Sequence, residues 1–358
     1  MVMHQPVARH PAKLLPVMRE PSFWWRAAGI EARLLAPAAA IYGTIAASRL
    51  KRQGYRAGVP VFCIGNPTVG GAGKTPTALQ VASMLAAAGE RPVFLSRGYG
   101  GRQHGPKLVD PERDSAANVG DEPLLLAREA PTVVAHDRVA GAKTAVAAGA
   151  SVIVMDDGFQ NPSLAKDFSV LVVDGRRGIG NGKVFPAGPL RAPLDAQLER
   201  AAAVMLVGTV GNAAAPVVAA AAARRCPVFR ARLAPDRDAI AALAGKRVLA
   251  FAGIGDPAKV FATLRDAGVT VAATRSFADH HRYTPAEAQS LCRQADADGL
   301  VLVTTEKDRA RLQGEKAMAE LAACVRVLPV DLAIEEEVAW RDLLAERMAA
   351  ARSSRLSA

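Results

Sequence analysis

The chain has 358 residues but few aromatic residues and few cysteines. Aromatic side chains make up only 5% of it, so we expect a core built mostly from alanine, valine and leucine. The four cysteines form no C-x-x-C pair, which excludes a cysteine-based metal site or a disulfide scaffold and favours a reducing compartment. With 50% hydrophobic and 22% charged residues, the chain is predicted to be globular, with two domains as the first expectation.

Signals for export or membrane crossing are also lacking. The N-terminus has no basic region followed by an apolar stretch and a cleavage site, as a secretory signal would. Residues 201–223 carry no charge, but they are mostly alanine and are interrupted by Gly208, Gly211 and Pro216. A buried strand at 203–207, a turn and an alanine-rich helix explain this stretch better than a membrane span.

Positive charge is concentrated at the N-terminus. Residues 1–56 contain nine Lys or Arg against Glu20 and Glu31, a balance of +7 out of +11 for the whole chain. Phe23, Trp24 and Trp25 precede the uncharged residues 34–48, which are too few to cross a bilayer. We predict a helix lying in an anionic membrane surface, with the tryptophans at headgroup depth. An ordinary core helix is the alternative, and no nucleic-acid motif accompanies the charge.

Apolar strands alternate with helical segments along the chain. Strands are predicted at 59–64, 92–95, 132–135, 151–155, 169–173 and 203–207, and a second series at 247–252, 269–274 and 300–304. This alternation predicts an α/β fold, a P-loop NTPase-like and mostly parallel sheet with helices on both faces, plus a smaller α/β domain. The predicted units are a membrane-associating segment (1–52), a core domain (53–228), a smaller domain with connector strands (229–333) and a C-terminal helix (334–358). Residues 227–233 and 325–333 are expected to pair as the connector.

A glycine-rich loop follows the first strand. Residues 61–75 read VFCIGNPTVGGAGKT, and a helix is predicted from Pro76. Backbone N–H groups of such a loop surround phosphate oxygens, the lysine reaches the β- and γ-phosphates, and the hydroxyl binds Mg²⁺. The predicted ATP contacts are therefore Thr68, Val69, Gly70, Gly71, Ala72, Gly73, Lys74 and Thr75. Thr68 departs from the P-loop motif, which has glycine at this position.

A strand ending in two carboxylates accompanies the loop. In 151–160, SVIVMDDGFQ, either Asp156 or Asp157 could bind Mg²⁺ beside Thr75, while helix capping is the alternative role. The guanine-reading N-K-x-D motif is absent, which favours ATP over GTP. The loop and the acidic strand end together predict an ATP site with Mg²⁺.

Seven sequence clusters occur in an order typical of one family. They are 65–76 (GNPTVGGAGKTP), 96–101 (SRGYGG), 119–123 (VGDEP), 156–160 (DDGFQ), 185–191 (FPAGPLR), 277–283 (FADHHRY) and 304–308 (TTEKD). Together they resemble the tetraacyldisaccharide 4′-kinase family, from about residue 20 to about residue 340. The resemblance implies transfer of the ATP γ-phosphate to the 4′-hydroxyl of a tetraacylated glucosamine disaccharide 1-phosphate, giving lipid IVA for lipid A. It also implies peripheral attachment to the cytoplasmic face of the bacterial inner membrane. Neither a nucleic-acid partner nor an obligate protein partner is expected from the sequence.

The resemblance assigns roles to residues in these clusters. Asp121 matches the family's catalytic aspartate, which accepts the hydroxyl proton, and His280 matches the histidine that pairs with it and tunes its basicity. His281 is the competing assignment. Because the pair spans two predicted domains, the assignment requires these domains to close on each other. The lipid headgroup and its 1-phosphate are expected to contact Arg97, Tyr99, Arg138 and Arg191.

Two positions depart from the family pattern. Ala192 stands where glutamate is expected, so any contact made by that glutamate is missing or supplied elsewhere, and Ala72 replaces the usual Thr or Ser.

Two other functions are consistent with parts of the sequence. A P-loop ATPase or metallochaperone-like NTPase would not need VGDEP and DHH, and a non-catalytic lipid-binding scaffold would not need Lys74 and Thr75.

Overall fold

A computed structural model of the protein describes residues 20–314 and 316–356, and these form two sheets with helices packed on them. Strands β1 to β13 are Val61–Gly65, Pro92–Ser96, Lys107–Leu108, Thr132–Val134, Val152–Asp156, Phe168–Asp174, Ala203–Val207, Val228–Pro235, Arg247–Ala252, Thr270–Ser276, Val301–Thr305, Arg326–Leu328 and Val330–Ile334. Helices α1 to α14 are Ile30–Leu34, Ala36–Leu50, Lys74–Ala87, Ala116–Val119, Asp121–Ala127, Arg138–Ala147, Leu194–Leu198, Ala215–Ala223, Arg237–Ala241, Pro257–Asp266, Pro285–Asp298, Glu306–Leu312, Ala319–Cys324 and Glu337–Leu356. Short 3₁₀ turns occur at Ser22–Trp25, Asn212–Ala214 and Lys316–Met318.

The larger sheet is mostly parallel, in the order β13-β8-β7-β6-β1-β5-β2-β4-β3. Strands β1, β2, β5, β6 and β7 are buried along their whole length, because helices cover both faces. On one face α3 and α14 pack on Phe62, Phe94 and Phe168. On the other, α6 and α8 pack on side chains that include Val61 and Ile153. The predicted mixed α/β fold with a large, mostly parallel sheet is confirmed.

The smaller sheet is parallel throughout, in the order β10-β9-β11-β12. In the predicted connector region, β13 pairs antiparallel with β8 at the edge of the large sheet, whereas β12 joins the small one. The C-terminal helix packs on the large sheet through Trp340, whose ring lies 4.9 Å from Phe229. The two sheets meet along one cleft.

Both N-terminal tryptophans make contacts within the protein, and the predicted headgroup position is wrong for the buried Trp24. Trp24 is 4% exposed, and its indole N–H donates to the carbonyl of Pro186 at 3.0 Å. Trp25 donates to Glu20 at 3.0 Å and lies under the guanidinium of Arg177. A buried indole N–H needs a hydrogen-bond acceptor, which this fold supplies.

Helix α2 has its small residues against the protein and its large apolar residues outside. Ala39 and Gly43 are its buried positions, whereas Ile41 and Ile45 are 66% and 55% exposed. At the end of α1, Leu34 is 77% exposed. None of the helices within residues 20–314 and 316–356 combines the length and apolar character that crossing a membrane requires. Residues 201–223 form the strand β7, a turn and α8, as predicted.

Candidate active site

The glycine-rich loop joins β1 to α3, so its predicted strand–loop–helix setting is confirmed. Helix α3 begins at Lys74 rather than Pro76. Gly70 and Gly73 have φ angles of 102° and 92°, a left-handed backbone that favours glycine. The buried Asn66 amide donates to the Gly70 carbonyl at 2.9 Å and accepts from Lys74 Nζ at 3.2 Å. Asn66 therefore braces the loop from inside, a role that the sequence did not reveal.

Thr68 fits the loop although the motif has glycine there. Its backbone lies outside the left-handed region and bridges to Leu190, while the Val69 N–H donates to the Pro189 carbonyl at 2.8 Å. The Thr68 carbonyl accepts from Arg191 Nε at 2.9 Å. Extended backbone is open to any residue, so glycine is not required at this position.

Asp156 ends β5 beside the loop and has an unpaired oxygen. Its Oδ2 accepts from the Thr75 hydroxyl at 3.4 Å, and its buried Oδ1 has no partner within the described residues. Burial, together with the nearby Glu122 carboxylate, raises the pKa of Asp156 to about 7. An orphaned carboxylate oxygen beside a threonine hydroxyl fits a bound divalent cation.

The described residues contain no cluster of three or more His, Cys, Asp or Glu that could enclose a metal ion.

Asp157 has different surroundings from its neighbour. It has a positive φ of 53°, its Oδ1 accepts from Arg191 Nη1 at 2.9 Å, and its Oδ2 lies 3.8 Å from Lys74 Nζ. Burial opposes ionisation, but these two cations hold the pKa of Asp157 below its usual value. Asp157 thus orients Lys74 and Arg191 at the loop.

A cleft of about 1350 Å³ lies between the two sheets and collects most of the predicted site. From the large sheet it is lined by the loop, Asp156 and Asp157, and from the smaller unit by His280. The cleft is also lined by the predicted headgroup residues Arg97, Tyr99, Arg138 and Arg191. One acidic and one basic residue without a predicted role, Glu122 and Lys307, line it as well. Thr68, Thr75 and Asp121 lie behind this lining.

The predicted pair Asp121 and His280 is formed across the two units. His280 Nδ1 lies 3.1 Å from Asp121 Oδ2, although the residues are 159 positions apart. Burial opposes both charges, yet the hydrogen bond between them lowers the pKa of Asp121 and raises that of His280. Asp121 is 4% exposed and lines a separate cavity of about 50 Å³ behind the cleft, whereas His280 lines both spaces.

His281 points to a structural contact instead. Its Nε2 lies 3.0 Å from Glu287 Oε2, and its ring stacks on Phe277 with centroids 4.9 Å apart. Glu287 and Thr284 form the capping box of α11, so His281 secures the start of this helix. Of the two adjacent histidines, only His280 contacts Asp121.

Helix α12 of the smaller unit contributes two cations that the sequence did not identify. Lys307 Nζ donates to Glu122 Oε1 at 2.7 Å, and Arg311 Nε donates to Asp121 Oδ2 at 2.7 Å. Lys307 belongs to the TTEKD cluster, but the sequence analysis assigned no role to this lysine. Lys307 and Arg311 are four positions apart, so both lie on one face of α12, where they contact the consecutive acids Asp121 and Glu122 of α5.

The predicted headgroup residues line the same cleft in different settings. Arg97 and Tyr99 are exposed, and the Tyr99 ring lies 5.2 Å from that of His280. Arg138 is 3% exposed, with Nε unpartnered within the described chain, and burial beside Arg97 lowers its pKa. Ala192 is fully buried and offers only its carbonyl, which accepts from Gln197, so it supplies no carboxylate to the cleft.

Glu20 is a further residue that the sequence did not assign to the site. It packs directly against Gly70, where a Cβ atom would lie only 2.0 Å from Glu20 Oε1. Arg177 Nη1 donates to Glu20 Oε2 at 3.0 Å. The segment before α1 therefore lies against the glycine-rich loop.

Comparison with known proteins identifies one family over most of the chain. The family described as tetraacyldisaccharide-1-P 4′-kinase matches residues 31–349. A tetraacyldisaccharide 4′-kinase of Nitrobacter winogradskyi is 55% identical over 335 residues, covering 94% of this chain and 99% of the relative. One of Rhodopseudomonas palustris (strain BisB18) is 56% identical, with coverages of 94% and 97%.

A solved structure is similar as well. It is LpxK from Aquifex aeolicus, an "apo" form crystallised in complex with ATP, which is 26% identical. The match covers 88% of this chain and 99% of that chain, with a TM-score of 0.66. The similarity therefore extends through both sheets rather than through the loop region alone.

Proposed function

The chain belongs to the tetraacyldisaccharide-1-P 4′-kinase family, and we propose that it transfers the γ-phosphate of ATP to the 4′-hydroxyl of a tetraacylated glucosamine disaccharide 1-phosphate, forming lipid IVA. Family membership makes it a kinase of lipid A biosynthesis, as the seven clusters predicted. The observation that carries the proposal is the single cleft, which brings Lys74 and Asp156 together with His280 from the other unit.

The nucleotide binds at the loop between β1 and α3. Backbone N–H groups of the loop up to Thr75 surround its phosphates, except that of Val69, which donates to the Pro189 carbonyl. Lys74, held by Asn66 and Asp157, reaches the β- and γ-phosphates. Thr75 and Asp156 hold Mg²⁺, since Asp156 has the unpaired oxygen and Asp157 is already paired. When bound, this ion neutralises charge on the phosphates.

The acceptor headgroup lies across the cleft from the loop. Arg97 and Arg138 supply a guanidinium pair for its 1-phosphate, and Tyr99 packs along the sugar beside His280. Arg191 contributes from the loop side, where it also holds Thr68 and Asp157. Arginine suits this task because its planar group binds two phosphate oxygens at once.

The Asp121–His280 pair supplies the base. A sugar hydroxyl is a poor nucleophile until its proton is removed as the bond to phosphorus forms. The family resemblance gives proton acceptance to Asp121 and the tuning of its basicity to His280. Closure of the smaller unit on α5 completes the pair, so the acceptor reacts only in a closed cleft.

The lipid reaches the cleft from an anionic bilayer, the cytoplasmic face of the inner membrane. Ordinary surface helices bury their large apolar side chains, but α2 exposes Ile41 and Ile45 and buries small residues. Exposed basic residues Arg49, Lys51 and Arg52 end this helix and can bind lipid phosphates. Tyr42 and Arg49 also line the cleft, so the membrane-facing helix adjoins the acceptor site.

The test follows label from γ-labelled ATP into tetraacyldisaccharide 1-phosphate in mixed micelles with Mg²⁺. Lys74→Ala should abolish transfer, and Asp121→Ala should lower kcat by about 10²–10⁴-fold with little change in the KM for ATP. Lys246→Ala, an exposed lysine outside the cleft, is the control and should retain activity. Phosphate release without labelled lipid would instead identify a P-loop ATPase and overturn the proposal.

A further inference from the structure

Two of the four cysteines meet in the smaller unit although they lie far apart in the sequence. Cys292 lies on α11, and Cys324 is the last residue of α13. Their Sγ atoms are 3.6 Å apart, which is van der Waals contact between sulfurs, across a separation of 32 residues. The other two cysteines, Cys63 and Cys226, are buried in the core of the large sheet. Because the chain has no C-x-x-C pair, this contact was not visible in the sequence.

The helices that carry the two thiols pack together on one face of the smaller sheet. Leu291 of α11 and Leu321 of α13 are buried in the same apolar cluster. This cluster also contains Leu249 of β9 and Leu302 of β11, so both helices share a core with the sheet. Close packing of this kind fixes where each helix lies. The contact between the two sulfurs is therefore a consequence of the fold.

The two thiols differ in their access to solvent. Cys292 is 7% exposed, whereas Cys324 is exposed at the end of its helix. Burial and the contact with Cys324 raise the pKa of the Cys292 thiol to about 12, so Cys292 stays protonated. An oxidant from solvent therefore reaches Cys324 first, and Cys292 lies directly behind it as a second thiol.

We propose that Cys292 and Cys324 are a site of reversible oxidation, at which a peroxide joins the two thiols in a disulfide that ties α13 to α11. The inference goes beyond the proposed kinase function, because neither cysteine lines the cleft. The cysteine pattern favours a reducing compartment, where disulfides are usually transient and serve redox sensing or catalysis.

The oxidation takes two steps. The Cys324 thiolate attacks an oxygen of hydrogen peroxide, the O–O bond breaks, hydroxide leaves and Cys324 becomes a sulfenic acid. The Cys292 sulfur then attacks the Cys324 sulfur, so that the S–S bond forms, the S–O bond breaks and the hydroxide leaves with the Cys292 proton as water. Two electrons pass from the thiols to the peroxide. Two thiols of a reductant reverse the reaction by exchange, beginning at the exposed Cys324 sulfur.

The disulfide closes the segment from Cys292 to Cys324, which carries β11 and α12. Such a bond stabilises by restricting the unfolded chain, provided that the folded state accommodates it without strain. Because the two sulfurs already touch, little movement of the helices is needed. We expect the oxidised protein to unfold at a temperature roughly 3–10 °C above that of the reduced protein.

The experiment treats the purified full-length chain with hydrogen peroxide, alkylates the remaining thiols under denaturing conditions and digests the chain with trypsin. Cleavage separates the two cysteines into peptides 283–293 and 317–326. We expect these peptides to be joined, at a mass lower than their sum by two hydrogen atoms, while Cys63 and Cys226 are alkylated. Dithiothreitol should restore all four thiols, and thermal unfolding is compared before and after oxidation.

Three variants separate this pair from general thiol oxidation. Cys324→Ser should fold, because the position is exposed, and should leave the buried Cys292 reduced. Cys292→Ser should form no cross-link and should let Cys324 gain oxygen as far as sulfinic acid. Cys226→Ser is the matched control and should form the cross-link as the unmodified protein does, since its hydroxyl can donate to the Ala201 carbonyl in place of the thiol.

The results that overturn the inference are distinct. Intact thiols after peroxide treatment, or oxygen added to Cys324 without a joined peptide, would show that the two sulfurs do not react with each other. Cross-links between separate chains would make Cys324 an ordinary surface thiol. A lower unfolding temperature after oxidation would show that the fold does not accommodate the bond. Since no kinase assay enters this test, its failure leaves the proposed function unaffected.

Discussion

The exposed apolar side chains of α2 allow a direct test of how the protein meets a membrane. We would replace Ile41 and Ile45 together by glutamate. These positions are four residues apart, so they share one face, opposite the face on which Gly43 packs against Pro193 and Val184. Because both isoleucines are solvent-exposed, the double variant should unfold at an unchanged temperature.

The expected loss of binding follows from the exposed area. Ile41 and Ile45 are 66% and 55% exposed, and full burial of an isoleucine side chain stabilises by roughly 1.5–3 kcal/mol. Burial of the exposed parts in the bilayer interface therefore contributes about 1–2 kcal/mol for each residue. Loss of both should weaken partitioning by roughly 30-fold or more, at 1.4 kcal/mol per factor of ten. The added carboxylates repel an anionic surface and increase the loss.

The assay is sedimentation with phosphatidylglycerol-containing vesicles, measured as a partition coefficient against lipid concentration. Val338→Glu is the matched control, since Val338 is 70% exposed on α14 and no membrane role is proposed for it. It should bind as the unmodified protein does. Equal vesicle binding by Ile41→Glu/Ile45→Glu and Val338→Glu would refute the reasoning and assign attachment to another surface.

Two further predictions concern the stability of the core and of the cleft. Trp340 is fully buried against Phe168 and Phe229, so Trp340→Ala should cost about 3–5 kcal/mol of unfolding free energy in urea denaturation. Trp340→Phe should cost clearly less, because it keeps a ring in the core and removes an indole N–H that has no partner within the described residues. Burial opposes the ionisation of Asp174, but the ion pair with Lys259 lowers the pKa of this carboxyl below its ordinary value of about 3.9. The ion pair therefore stabilises the fold above that pH, and this stabilisation is lost as the pH falls below it. The stability gap between the unmodified protein and Asp174→Asn should therefore narrow as pH falls from 5 to 3, and a constant gap would contradict this assignment.

Local sequence pattern was sufficient for most strands of the two sheets. Strands β7 and β9 lie at the predicted residues, and most others within one or two, because continuous apolar runs of this length form buried parallel strands in most contexts. The P-loop spacing also predicted that Lys74 and Thr75 lie where the loop meets the next helix, and they form the first turn of α3. Both signals depend on neighbours in sequence, so no tertiary information was needed.

The position of the N-terminal tryptophans could not be predicted from local sequence pattern. Aromatic residues beside basic ones predict an interfacial belt, but the same residues can satisfy an indole N–H within the protein. Trp24 finds the Pro186 carbonyl 162 residues away, and only the folded chain brings these groups together. The exposed apolar surface is instead formed by Ile41 and Ile45 of α2. Composition alone could not show whether α2 is a surface helix or a core helix.

By itself, the sequence determined the α/β class, the loop for phosphate and, through ordered clusters, the family and the candidate pair Asp121 and His280. Tertiary structure decided which histidine meets Asp121, and it showed that Arg311 holds that carboxylate from 190 residues away. The reason is physical. A motif records residues that are neighbours along the chain, whereas the orientation of a buried carboxylate depends on donors that the packing of distant segments brings within hydrogen-bond distance.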